Sequence, residues 1–268
     1  MTAERRIPGW LAGLIGAGSL VFIWWLLSVT VYAPAGGGDY SPVPSPFDVF
    51  SQIYHDGFNA YWSFFKVTIE EAARGFVYGN LLALLLASTV LLAPKIEPIV
   101  LQIGVVTYCL PIVAVGGICI VVLGGAEQPG DPSQTAIFLA AFLCFFTTLV
   151  GALLGFKAAD KASLDVISVY GGSRWIQLRK VRLIAALPAI LSALQVAVPT
   201  AFLGAVLGEY MGATDRSVGI MMVRFQGNLD SVHVWAVLIL IAAVAMIGYA
   251  ALGLVSRLVT PWMAGGHR

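Results

Sequence analysis

Charge is what this chain has least of. Asp, Glu, Lys and Arg make up 11% of its 268 residues, where a water-soluble domain carries about 25%. The formal net charge is only +1, so nucleic acid and strongly anionic surfaces are not natural partners. Cysteine is scarce as well. Cys109, Cys119 and Cys144 each stand inside an apolar run, which reads as small hydrophobes and not as a disulfide set or a metal site. His55, His233 and His267 show no ligand spacing. No GxxxxGK[ST] phosphate loop, HExxH or CxxC occurs, which excludes nucleotide hydrolysis by the P-loop route. An enzyme is not expected, and neither a metal nor a catalytic cluster is expected on this chain.

Apolar sequence is what the chain has instead. Hydrophobic residues reach 59% and mean hydropathy is +0.89. Six uncharged spans follow one another, at 9–32, 75–93, 98–124, 134–156, 184–208 and 232–256. Each is long enough to cross about 30 Å of hydrocarbon as a helix. The fold class expected is therefore an all-α membrane protein of six transmembrane helices. Its second helix extends outward through Glu70, Glu71 and Arg74. Arg5-Arg6 precedes an uncharged stretch that runs to Asp39, well beyond the roughly 7–15 residues of a signal-peptide core. A retained first helix is expected, although Ala33-Pro34-Ala35 faintly resembles a cleavage site.

Orientation follows from the basic residues. With the N-terminus inside, Arg5, Arg6, Lys95, Lys157, Lys161, Arg174, Arg179, Lys180, Arg182, Arg257 and Arg268 are cytoplasmic, and only Lys66, Arg74, Arg216 and Arg224 are outside. That bias places both termini in the cytoplasm. Residues 1–62 then hold one helix and a long outer loop, with Gly36-Gly37-Gly38, three prolines and an aromatic stretch from Phe47 to Trp62. A surface-lying, aromatic-anchored segment is expected there. Residues 63–268 form a core of five helices with a cytoplasmic loop at 157–183.

Within the spans no Asp, Glu, Lys or Arg occupies a central position. An ion-coupled secondary transporter keeps such groups at depth, at a cost of at least about 2.5–3.5 kcal/mol each, so that class is the lesser alternative. An integral-membrane enzyme or assembly protein is another, and it lacks a visible polar cluster. Milder polar residues remain as pathway candidates: Gln102, Thr107, Gln195 and Thr200, with Pro111 in the third span and Glu209 at the outer end of the fifth. Helix–helix hydrogen bonds are an alternative role for the polar ones. Gly75/Gly79, Gly151/Gly155 and Gly204/Gly208 are small-residue pairs at four-residue spacing, which permit close helix approach in lipid. Pro111, Pro188 and Pro199 are expected to kink their helices.

The inner loop is the chain's richest charged segment. Ser163 to Tyr170 is helix-compatible, with Leu164, Ile167 and Tyr170 on one face. Gly171-Gly172 breaks it at a reversal. Ser173 then caps a second helix, which feeds the next span. A short helix, an elbow and a second helix form a stiff lever. A polytopic chain without its own energy source, keeping such a lever inside, is expected to receive force from a soluble motor.

Asp165, Gly171 six positions later, Val181 and Leu187-Pro188 resemble the EAA loop of the inner-membrane permeases of ABC importers. Val166 and Ile167 stand in place of that motif's two alanines, and Ile184 in place of its first proline. Gly171-Gly172-Ser173-Arg174-Trp175 is similar to the family's G-A-S-R-W, and Gly208-Glu209-Tyr210-Met211-Gly212-Ala213 to its A-E-L-L-G-A. Leu110-Pro111 and Leu123-Gly124 resemble its proline-containing third helix, with Gly117 where a proline is usual. Ser45-Pro46-Phe47 and Thr260-Pro261-Trp262 are similar to the nitrate/sulfonate/taurine branch. The resemblance spans roughly residues 60 to 262. It implies a coupling helix over Asp160–Trp175, including Ser163, seated in a cytoplasmic ATPase. Gly171 would set the elbow, Asp165 would cap or pair, and Arg174 would make a polar contact. It further implies two ATPase subunits carrying ATP and Mg, a second permease copy as a homodimer, an extracytoplasmic solute-binding protein, and a prokaryotic inner membrane. Glu209 would face the solute entrance or the binding protein, or stand as an interfacial carboxylate without a direct role; Arg216 and Arg224 would guide an anionic solute or pair with acidic lobes of the binding protein.

Overall fold

The computed structural model describes residues 8–32, 41–212 and 216–263, and helix is the only regular structure among them. Arg5-Arg6, Ala33-Pro34-Ala35, the triple glycine at 36–38 and the end of the Gly208–Ala213 motif lie outside the described residues. The helices are α1 (Gly9–Leu27), α2 (Pro46–Asp56), α3 (Phe58–Leu92), α4 (Glu97–Cys109), α5 (Ile112–Leu123), α6 (Gln134–Lys157), α7 (Lys161–Val169), α8 (Arg174–Gln177), α9 (Leu183–Gly212), α10 (Val218–Gly227) and α11 (Ser231–Val259). A π-helical turn at Ser28–Tyr32 continues α1, and another at Leu178–Arg182 joins α8 to α9.

Five stretches are long and apolar enough to cross a membrane, and the bent pair α4–α5 makes a sixth. The expected third span is thus not one rod. Its halves meet at 93°, because Pro111 has no backbone N–H and forces the residue before it out of helical geometry. Leu110 is accordingly extended, at φ −68° and ψ 131°. Pro188 and Pro199 lie within α9, which runs on past both. The second span begins earlier than its apolar core: α3 starts at Phe58, so Tyr61 and Trp62 belong to it and not to the aromatic helix α2. That helix is capped by the Ser45 side chain, which accepts from Asp48 N–H.

The chain divides into two compact units. One comprises residues 1–62 and 222–240. Within it Trp24 stacks on Trp235 at 5.2 Å, and their indole N–H groups donate to Pro44 O and Pro42 O. The loop carrying three prolines is thereby fastened to two helices by donors that proline cannot replace. His233 stands between Asp56 (3.3 Å) and Asp230 (2.6 Å) and stacks on Phe225. Gln52 and Tyr61 also donate to Asp56. Spacing along the sequence hides this cluster, since its members come from four separate segments.

The other unit comprises residues 63–221 and 241–268, and α6 is its central helix. The three glycine pairs explain why. A methyl group on Gly75 would lie 2.6 Å from Ile137 O, and one on Gly204 would lie 2.6 Å from Leu139 O. Gly155 would meet Ala189 Cβ at 2.9 Å. Helices α3 and α9 therefore touch α6 backbone to backbone, the packing that small residues permit in lipid. Asn80 and Thr148 hydrogen-bond across α3 and α6. The core below them is built from Ala83, Ala87, Leu149, Ala152, Phe156 and Ala186, all essentially without exposure. Cys119 and Cys144 are buried free thiols, as small core residues should be, whereas Cys109 at the end of α4 is exposed.

Candidate functional site

The loop between α6 and α9 forms an ordered lever. Asp160 caps α7, its carboxylate accepting from Ser163 N (3.1 Å) and from Ser163 Oγ (3.2 Å). That satisfies one of the free amides of a helix start. The capping role is thus filled by Asp160, while Asp165 lies exposed in mid-helix. The helix closes on Gly171 and Gly172. Gly172 N donates to Ile167 O at 2.8 Å and Gly171 N to Ser168 O at 3.0 Å, the paired bonds of a Schellman motif. Gly171 takes φ +74°, a left-handed conformation that costs a side-chain-bearing residue roughly 1–2 kcal/mol. Ser173 then caps α8 by accepting from Ile176 N.

Two further bonds stiffen the elbow. Gln177 Nε2 donates to Ser168 Oγ at 2.8 Å, tying α8 back to α7. Arg174 Nη1 donates to Leu92 O at 3.3 Å, tying α8 to the last residue of α3. Leu164 and Ile167 are half-buried against the unit. Val169 and Tyr170 are 84% and 87% exposed, with Val166 and Trp175 also well exposed. The face carrying Leu164, Ile167 and Tyr170 therefore splits, its first two members facing in and Tyr170 facing out. A rigid elbow that presents an apolar tip to solvent is a surface made to be covered.

The opposite end of the same unit has another polar assembly. Glu71 and Glu209 are both 0% exposed. Glu71 Oε1 accepts from Ser133 N, and Glu209 Oε2 accepts from Gly219 N at 2.8 Å. Thr68 and Ser217 also hydrogen-bond to Glu209, and Thr68 Oγ1 accepts from Val218 N. The remaining carboxyl oxygens, Glu71 Oε2 and Glu209 Oε1, are buried without a hydrogen-bond partner among the described residues. The hub joins α3, the start of α6, the end of α9 and the start of α10.

Of the pathway candidates, Gln102 and Thr107 line one hollow on α4 with Pro98, Ile99, Ile103 and Val106. Thr107 and Thr200 donate to carbonyls of their own helices. Gln195 packs against Gly253 of α11, and Pro111 is exposed at the α4–α5 bend. Glu209 lies in the buried hub, without exposure. Glu71, expected at the interfacial end of its helix, is instead fully buried.

These features agree with what the chain is similar to. Residues 79–264 match the family model for the binding-protein-dependent transport system inner membrane component. A probable ABC transporter permease protein of Haemophilus influenzae is 26% identical over 239 residues, covering 89% of this chain and 92% of that protein. The formylaminopyrimidine transport permease protein ThiX of Halalkalibacterium halodurans is 22% identical, covering 82% of this chain and 85% of its own. The putative aliphatic sulfonates transport permease protein SsuC of Bacillus subtilis is 25% identical, covering 96% and 90%. Among solved structures, the inward-facing MetNI methionine ABC transporter superposes with TM-score 0.58 at 17% identity, over 74% of this chain and 94% of that one. An alginate-importing bacterial ABC transporter superposes with TM-score 0.58 at 18% identity, over 92% and 96%. With its helical bundle, its ordered elbow and a family match over most of its length, this chain belongs to the binding-protein-dependent transport inner-membrane components, the multi-pass permease subunits of ABC importers.

Proposed function

We propose that the chain forms half of a translocation pathway, driven by two cytoplasmic ATPase subunits seated against residues 157–183. ATP and Mg are bound on those subunits, and the second half is another copy of this chain. ATP binding draws the two elbows together and tilts the bundles between outward-open and inward-open states. An extracytoplasmic binding protein delivers the solute. What carries this reading is the elbow: a Schellman-closed, doubly braced turn whose apolar tip is bare. A floppy linker would not transmit force, and a solvated loop would not need Val169 and Tyr170 outermost.

The solute is a small molecule, and we favour an anion of the sulfonate, taurine or nitrate kind. Similarity to the sulfonate permease over nearly the whole chain supports this, as do Arg216 and Arg224 on the side assigned outside. Similarity to a permease named for formylaminopyrimidine keeps thiamine-precursor-like solutes as the second choice. Among the described residues, Gln102, Thr107, Pro111, Gln195 and Thr200 are the proposed contacts along the route.

Gly171→Pro tests the coupling. Proline cannot take φ +74° and removes the N–H that bonds Ser168 O. Uptake by the assembled transporter should be lost while membrane insertion persists; unchanged uptake overturns the assignment. Uptake should also stop on ATP depletion and ignore collapse of proton or sodium gradients, the reverse of what an ion-coupled carrier does.

A further inference from the structure

A cavity of about 230 Å³ opens where α3 and α6 end, and Lys157, Arg174 and Arg182 line it, with Glu97 the only carboxylate among the described residues there. Lys157 pairs with Glu97. Arg174 Nη1 donates to Leu92 O and Arg182 Nη1 to Phe156 O. Each guanidinium carries five N–H donors in a rigid fork, so these anchoring bonds fix the two arginines and leave most of their donors available. Cationic charge near the carbonyl end of a helix is favourable in itself. Two arginines lining one partly enclosed space nevertheless repel each other, and an anion bound there removes that repulsion.

We propose that this cavity binds the phosphodiester headgroup of an anionic phospholipid. The location argues for a lipid over a soluble anion. The cavity lies at the last turns of two apolar spans, Leu92 and Lys157 being their final residues, which is the headgroup level of a bilayer. Leu153, one turn further into the apolar span, lines the floor and gives the glycerol and first methylenes an apolar wall. Basic pockets between membrane helices on the cytoplasmic side recognise such headgroups, and arginine forks match phosphate oxygens two at a time. The exposed apolar tip of α7, where the coupling proposal seats the ATPase, contributes no residue to the cavity. A lipid here would brace the elbow against the ends of α3 and α6, so the site would make coupling sensitive to membrane composition.

The full-length chain is reconstituted in nanodiscs of equal phosphatidylglycerol and phosphatidylcholine, extracted, and its retained lipid counted by native mass spectrometry. The wild type should retain phosphatidylglycerol over phosphatidylcholine. Arg174→Gln with Arg182→Gln should weaken that retention roughly fivefold for each arginine removed, and the matching lysine pair should restore most of it. Circular dichroism confirms that each variant keeps its helices. Should the glutamine variant fail to fold, the wild-type preference decides alone. Equal retention of the two lipids by the wild type, or unchanged retention in a folded variant, overturns the proposal. So does displacement of phosphatidylglycerol by millimolar inorganic phosphate, which makes the cavity a site for soluble anions. Loss of ATPase co-purification with lipid retention intact also overturns it, and assigns the cavity to the subunit interface.

Discussion

The two ends of the unit formed by residues 63–221 and 241–268 treat polarity in opposite ways. At one end Thr68, Glu71, Ser133, Glu209 and Ser217 are all buried and bonded among themselves. At the other, α7 has no fully buried residue, and its Val166 and Val169 side chains point into solvent. Each buried carboxyl group accepts from a backbone N–H of another segment, so the first end ties its chain segments into a single arrangement. An exposed apolar elbow is stable as a shape, because its caps and braces are internal, yet its surface is unfinished. One end is closed on itself; the other is shaped for a partner.

The sharpest way to break this contrast is to empty the closed end. Glu209→Ala leaves Gly219 N–H and the Thr68 and Ser217 hydroxyls without their common partner. We expect a loss of about 3 kcal/mol or more, about 1–3 for each buried donor left unsatisfied, read as a large fall in melting temperature of the detergent-solubilised chain. Glu209→Gln keeps the shape and part of the bonding, and about 1 kcal/mol is expected. An equal loss from both variants would mean that the hub works by charge and not by hydrogen bonding. Next comes the central helix. Gly204→Val pushes a side chain against Leu139 O and should cost about 1–3 kcal/mol, with the same assay showing a smaller shift.

At the open end the order reverses, with small effects on stability and large ones on activity. Gly171→Ala strains a left-handed residue by roughly 1–2 kcal/mol and should lower transport-coupled ATP hydrolysis well before it affects folding. Val169→Asp alters an exposed side chain and should leave stability within about 0.5 kcal/mol. A substantial melting shift in that variant would show that the tip is packed in the isolated chain, and the contrast between the ends would fail.

Local pattern made the open end readable in the sequence. Gly171-Gly172 and Ser173 mark a reversal and a second helix start within three residues, and each acts on its nearest neighbours; the Asp160 cap that starts α7 two residues before Ser163 was not read. The spans were equally plain, since lipid demands continuous apolar helix. The bend between α4 and α5 was signalled by Pro111, though not its size, which depends on what each half packs against. The buried hub was missed because the bonds that close it join residues 62 and 150 positions apart. A signal did exist. Glu71, Gly75 and Gly79 follow one another at four-residue steps, so the carboxylate shares the stripe along which α3 meets α6. Glu209 likewise follows Ala201 and Ala205 at four-residue steps on α9. An acidic residue extending a small-residue stripe is placed against a neighbouring helix, whatever its charge suggests.

The most direct test of the account is co-purification of the ATPase subunit with the permease carrying Val169→Asp together with Tyr170→Ala. The account predicts that the variant inserts, melts like the wild type and arrives without its ATPase. A variant that retains stoichiometric ATPase and normal uptake would contradict it, because the elbow's bare tip would then have no partner to lose.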